Sequence, residues 1–574
     1  MRFRIIGSCG DNSSNDGIIF FAQRIEEMLM FYTSHIYRVP VYNTYLLIEE
    51  YSRTIQLVKN KAINQAHLSL ILEEFYSQLN SDIVIKHHFT QDEIDHYISH
   101  LKGNSDFEQE KLMHYLWHIM GEYPIWCKEE AKSIVKQPRE KKKIERILRS
   151  LIPMLIGFGY NPKYIYRYCR KVFSSKNVDY DSAMDTFLDR FDWQERKYDV
   201  YFCVSKHVEI FQSILETRLR VSFKEDKYSC RLKKDNNELC VHLTVNALDS
   251  DDAIDVAYNQ FNLFSRYYKF LGDRNEEWCG KKALVIDSDG RAYDRLFLLQ
   301  RYSYSRDYDS RTLGTNSEHI ITKLIENAED DDFNKLNRII KTHNLSLSST
   351  DMGNGFLNLW SILEMIGVSH RDDSKIKEIM NAAIPILMKG YIANVFEELH
   401  DYLKANMDSH TYLSMMSYVS EVGDEEYKIA CLVMLSKYAD ARKKLYSHLV
   451  QYPLIRSRIS QLYTDFFSDK KKLITEYDRY EQRLRWHIQR LYRTRNGIVH
   501  SGQNPRNIKS LGEHLHAYVD DIVLEIVNRL IQDNSLASID NVIINARIFM
   551  ETTYRDYKKG GEFDEIDIKK LLNK

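Results

Sequence analysis

Residues 473–502, LITEYDRYEQRLRWHIQRLYRTRNGIVHSG, decide how this chain folds. Leu473, Tyr477, Tyr480, Leu484, Ile488, Leu491 and Ile498 recur at three-, four- and seven-residue steps, the spacing of one face of an α-helix. The pattern predicts one long helix from about Ser468 to Val499. Extending the same period sets Arg495 on the apolar stripe, between Leu491 and Ile498. A guanidinium there is costly unless a carboxylate or another anion meets it. Gly497 and the loop Ser501-Gly502-Gln503-Asn504-Pro505 put His500 near the helix end. A second amphipathic helix follows, with Leu511, Leu515, Tyr518, Ile522 and Ile526 on its apolar side. A cation on an apolar face beside a histidine at a helix end suits an anionic ligand. A buried carboxylate on Arg495, with His500 capping helix carbonyls, accounts for the same residues.

Outward from this stretch, the chain is expected to be mainly α. A helical domain is expected over about residues 320–535, continuously helical after the acidic run Glu329-Asp330-Asp331-Asp332, and residues 536–574 read as a polar tail. Between about 195 and 315 the period changes to that of strands, at Lys197–Val204, Leu239–Val245, Ala283–Ile286 and Arg295–Leu299. Asp249-Ser250 opens a helix with Ala253, Val256, Ala257, Phe261, Leu263 and Phe264 toward its buried side. This makes a small α+β module. Residues 1–194 read as helices with polar loops. One helix break is explicit: Gly159 suits a left-handed cap, Asn161 an N-cap, and Pro162 the first position of the next helix.

Composition narrows the function classes. The 574 residues carry 80 Lys+Arg against 82 Asp+Glu, which excludes a globally basic nucleic-acid coat. No run of 18 apolar residues suggests a membrane span, and Met1–Gly7 is too short an apolar stretch for a secretory signal. The eight cysteines are scattered without a Cys-x-x-Cys, so neither a zinc ribbon nor a disulfide framework is indicated. A cytoplasmic protein is expected. No P-loop or Gly-x-Gly-x-x-Gly is present, which argues against a nucleotide-driven enzyme.

Other clusters are less specific. His87, His88, Asp92, His96 and His100, with His114 and His118, include pairs one helical turn apart, as zinc ligands are; a polar helix face explains them too. The basic residues between Lys136 and Arg149, followed by Lys163, Arg167, Arg170 and Lys171, form either a surface for an acidic partner or a solvated face. Arg301-Tyr302-Ser303-Tyr304-Ser305-Arg306, with Arg311, alternates aromatic and basic groups like a single-strand binder, or like an exposed edge. Arg-x4-His spacing alone is uninformative, since Arg338…His343 shares it by coincidence.

In context, Arg495-Asn496-Gly497-Ile498-Val499-His500 resembles the Arg-Asn-x-x-x-His signature of HEPN domains, especially the Apea-like branch. Phe356-Leu357-Asn358-Leu359-Trp360-Ser361-Ile362-Leu363-Glu364 is similar to that branch's first-helix pattern. The resemblance covers about residues 320–535. It implies a HEPN-like helical bundle that dimerises so that two Arg…His motifs face one cleft. It further implies an endoribonuclease needing no metal or cofactor, in a toxin or antiviral (abortive-infection) role. His500 would move protons at the ribose 2′-OH and the leaving 5′-oxygen, and Arg495 would neutralise the phosphate. Asn496 would orient the histidine or bond the phosphate, and Glu364 would hold Arg495. Arg483, Arg490 and Arg493, with Arg479, are expected to track an RNA backbone unless they form a plain solvated face. The expected partners are RNA, a second copy of the chain, and a protein trigger bound by the N-terminal regions. The alternative is a non-catalytic HEPN scaffold that binds protein or nucleic acid.

Overall fold

The computed structural model describes residues 15–29, 42–101, 106–137, 140–174, 179–223, 226–232, 238–271, 279–296, 322–326, 330–349, 351–367, 375–502, 504–532 and 538–573. The aromatic and basic segment from Arg301 to Arg311 lies outside them, as do Met1–Gly7. The chain is mainly α with one small sheet, as its patterning implies. It divides into two compact units. One comprises Met1–Met154, Phe173–Met184 and Tyr302–Lys574; the other comprises Leu155–Val172 and Asp185–Arg301.

In the first unit the leading helices are α1 (Asp16–Leu29), α2 (Thr44–Lys59), α3 (Ala66–Leu79), α4 (Asp106–Val135) and α5 (Lys141–Phe158). Asn43 opens α2 by accepting the Leu46 N–H at 2.9 Å, and its amide donates to the Ser150 carbonyl at 2.6 Å. The helical region read for residues 1–194 is divided between the units: α1 to α4 and α5 as far as Met154 share the unit of the C-terminal helices, whereas Leu155–Val172 and the residues from Asp185 onward belong to the other. A buried polar network explains why. Arg24 of α1 donates to Glu145 of α5 at 2.8 and 2.9 Å. Arg458, three hundred residues further on, donates to Glu27 at 3.0 Å and to Glu145 at 3.2 Å. Arg24 and Glu27 have no solvent exposure. Charges so far from water persist only when matched, so each half of this set needs the other. The basic run on α5 is likewise spent within the chain: Lys142 meets Asp465 at 2.9 Å and Arg149 meets Glu145 at 3.0 Å.

The second unit holds an antiparallel sheet of order β2-β1-β3-β4, with β1 at Arg196–Ser205, β2 at Glu238–Ala247, β3 at Cys279–Ile286 and β4 at Ala292–Leu296. Alternation sorts the faces. Val200, Phe202, Val241, Leu243 and Val245 pack with Ala253, Ala257 and Phe261 of helix α6 (Ser250–Leu271), while Tyr201, Cys203, Cys240 and Leu284 form a smaller cluster on the other side. Asp249 caps α6 by accepting the Asp251 and Asp252 N–H groups, and its second oxygen accepts the Asn161 N–H at 2.8 Å. Gly159 has φ +125° and Asn161 accepts the Lys163 N–H, so the helix break is built as its residues require.

The C-terminal helices of the first unit are α7 (Asp330–Ser348), α8 (Met352–Gly367), α9 (Lys375–Asn406), α10 (Pro453–Gln461), α11 (Lys470–Ser501), α12 (Ile508–Gln532) and α13 (Ile539–Tyr557). Helix α8 is wrapped by α7, α9, α11 and α12. The α11 stripe, from Leu473 to Ile498, is buried together with Leu511, Leu515, Tyr518, Ile522 and Ile526 of α12. Helix α9 is long and apolar enough to cross a membrane, yet 72% of its apolar window is buried inside the protein. The polar tail is also corrected. Ile539, Val542, Ile543, Ala546 and Met550 of α13, followed by Phe563, Ile568 and Leu571, belong to the same core.

Candidate functional site

Helix α11 runs from an N-cap at Asp469 to Gly502, whose φ of +65° lets its N–H return to the Ile498 carbonyl at 2.8 Å. Arg495 sits nearly two turns before the end, on the stripe but at the rim of the core, with 31% of its side chain exposed. Its Nη2 lies 3.6 Å from Glu364 Oε1, and its Nη1 donates to Asn496 Oδ1 at 3.0 Å. Glu364 is fixed from the other side, since buried Trp360 donates its indole N–H to Oε1 at 2.9 Å. The Trp360 ring also packs on Tyr492, with centroids 5.8 Å apart. The four residues Trp360, Glu364, Arg495 and Asn496 thus form one chain of contacts between α8 and α11.

His500 is exposed in the last turn of α11, with exposed Val499 beside it. Five residues of helix advance about 7.5 Å and turn about 140°, so Arg495 and His500 do not share a face of α11. Asn496 and His500, four residues apart, do share one. The loop after His500 is held against α8: a Cβ on Gly353 would collide with the Asn504 side chain.

The arginines expected to track RNA are placed differently. Arg490 is 1% exposed and Arg493 is 3% exposed. Arg490 donates Nε to Glu50 at 2.8 Å and Nη2 to both oxygens of Glu74 at 2.6 and 2.7 Å, beneath the Tyr42 ring at 3.7 Å. Arg493 donates twice to the other Glu50 oxygen, Oε1, at 2.7 and 3.1 Å. Arg483 donates to Glu476 at 2.6 Å. The expectation is therefore corrected for all three: these guanidiniums are neutralised by carboxylates of α2, α3 and α11. Burial pushes the Glu50 carboxyl up, but Arg490 and Arg493 outweigh it and hold it down to about 2. Burial dominates at Glu74 and raises it.

Helix α2 follows α11 in step. Seven residues separate Glu50 from Leu57, and seven separate Arg490 from Gly497, where Leu57 stands 3.8 Å from the position of an added Cβ. Beyond it, Tyr42 hydrogen-bonds Asn507 in the loop that follows His500. The leading helices thus fix both flanks of the His500 turn. Nothing in the local sequence of α11 announces these partners.

Among the described residues the N-terminal histidines form no ligand cluster: His87 faces Glu130 at 3.1 Å, and His88 stacks on Trp126 with centroids 4.3 Å apart. His343, set aside as a coincidence of spacing, meets His516 and Asp520 of α12. No protein-family model, curated protein or solved structure matches this chain.

Proposed function

We propose that the chain is a HEPN-type endoribonuclease that cleaves RNA at the Arg495–His500 motif of α11, acting as a homodimer in a cytoplasmic toxin or antiviral role. The observation that supports this best is the anchored guanidinium. Arg495 is held by Glu364 and Asn496 at the core rim, one turn from an exposed histidine. Its contact to Glu364 is long enough to be traded for a phosphate, with which a guanidinium forms the stronger, bidentate pair. Because Arg495 and His500 point about 140° apart, one helix cannot present both to one phosphate. A second copy of α11 set against the first supplies the missing group to each side.

In this scheme neutral His500 takes the proton of a ribose 2′-OH, and O2′ attacks the adjacent phosphorus. Arg495 balances the charge growing on the non-bridging oxygens. With Arg495 drawn from one copy and His500 from the other, a solvent proton goes to the departing O5′. The products are a 2′,3′-cyclic phosphate and a 5′-OH, and DNA does not react.

The test is digestion of a mixed RNA pool by the purified full chain in EDTA, with end-group analysis. Cyclic-phosphate ends that disappear in His500→Ala and Arg495→Ala are expected. RNA bound equally well by wild type and His500→Ala, but cut by neither, would instead favour a non-catalytic scaffold.

A further inference from the structure

Helices α7 and α12 cross where His343 meets His516 and Asp520. His343 Nε2 lies 3.0 Å from His516 Nε2 and 2.9 Å from Asp520 Oδ1, and the third side of the triangle, His516 Nε2 to Asp520 Oδ1, is 3.6 Å. The rings pack at 5.0 Å between centroids with an angle of 23°.

Hydrogen bonding alone serves this arrangement poorly. Three atoms that each carry a lone pair in their common forms converge on one point. A single proton on His343 Nε2 cannot point at both neighbours, and protons on both Nε2 atoms would collide. Among the described residues no Lys or Arg lies within ion-pair distance of Asp520, although only 17% of its side chain is exposed. A carboxylate this sheltered, facing two imidazoles, has a positive partner only where a ring is protonated or a metal ion is bound.

A divalent metal resolves all three points. Ligand atoms about 2.0–2.1 Å from a tetrahedral zinc stand about 3.3 Å from one another. The observed edges of 3.0, 2.9 and 3.6 Å scatter around that value. A circle through the three atoms has a radius of about 1.9 Å, so an ion at zinc–ligand distance sits just under about 1 Å above their plane. His516 and Asp520, four residues apart, reach the same side of α12, as paired ligands on a helix do.

We propose that His343, His516 and Asp520 form a binding site for one zinc-type divalent ion, with water in the fourth position. His343 and Asp520 are 22% and 17% exposed, so that position is open to solvent while His516, at 2%, anchors the ion from within. The ion clamps α7 to α12 and stiffens the helix that follows the His500 loop. It plays no part in the scheme at Arg495 and His500 and does not rest on that reading.

The test uses the full chain stripped with EDTA and titrated with Co²⁺ alone, then with competing Zn²⁺. One equivalent per chain is expected, with the intense visible bands of tetrahedral cobalt bleached by zinc. His343→Gln and Asp520→Asn keep side-chain size and are partly exposed, so their metal-free unfolding curves should match the wild type. Each should weaken zinc binding by at least about tenfold. Cobalt that stays in its pale octahedral form overturns the proposal, as do tetrahedral bands that persist in both variants. Should one variant misfold, the other decides. Activity is not needed for either readout.

Discussion

Arg490→Ala isolates the device that joins α11 to α2 and α3. The wild-type guanidinium serves two buried carboxylates, Glu50 and Glu74. After truncation Glu50 keeps Arg493 at 2.7 Å, whereas Glu74, 1% exposed, loses its charged partner. Breaking a buried pair from one side costs about 3–5 kcal/mol. The proton route gives a second figure. Taking up a proton at pH 7 by a carboxyl of ordinary pKa near 4.3 costs about 3.7 kcal/mol. The two agree, so a loss of about 4 kcal/mol in unfolding free energy is expected. The sign with pH follows from the same group. Burial raises Glu74 in the folded state, so the stability of the variant is greatest at low pH and falls as pH rises through the folded value. At pH 5 the proton costs about 2.7 kcal/mol less, leaving a deficit of about 1–1.5 kcal/mol. The wild type should show a shallower slope, because Arg490 there works against the burial of Glu74 while Glu50 is held down to about 2 and stays ionised. Urea unfolding of the full chain at pH 7 and pH 5, followed by circular dichroism, measures both numbers. Arg490→Ala/Glu74→Gln should recover most of the pH 7 loss. A deficit under about 1 kcal/mol, or one that stays constant between the two pH values, would refute the account of this network.

Gly497→Ala adds a methyl in ordinary contact with Leu57 and removes a helix-interior glycine, so it should gain about 0.5–1 kcal/mol in the same unfolding assay. Ile543→Ala opens a cavity under α13 and should lose about 2–4 kcal/mol; a neutral effect would restore the reading of a polar tail. Asp249→Ala removes the cap of α6 and the acceptor of the Asn161 N–H, for a loss of about 1–2 kcal/mol read from the thermal unfolding of the second unit. Gly353→Ala pushes the Asn504 side chain from its seat, so RNA cleavage should fall several-fold while helix content is kept.

Much of α11 was legible because its signal is local. The stripe, the end near Gly502 and the odd placement of Arg495 all follow from one helical period. Glu364 was reachable through resemblance, four residues from a tryptophan that now holds it. What stayed hidden is long-range. Arg490 and Arg493 look like solvent-facing charges because their carboxylates lie 416 to 443 residues away. The same distance concealed the merging of the first and last helices into one unit. His516 and Asp520 carried a local hint in their i,i+4 spacing, but His343 is 173 residues upstream. The tail is a different kind of miss. Ile539, Val542, Ile543, Ala546 and Met550 show a helical stripe that the surrounding polar residues masked.

The order in which this protein is made gives the Glu50–Arg490 pairing a temporal meaning. The acidic partners are synthesised 416 and 440 residues before the arginine. At about 5–20 residues per second, that interval is roughly 20–90 s. A helix rich in arginine therefore emerges beside the ribosome, a particle dense with RNA phosphate, only after its own neutralising carboxylates are in place. The leading helices act as a built-in escort. A shortened chain lacking them would release α11 with bare guanidiniums, and its affinity for RNA would reflect that loss rather than the intact protein.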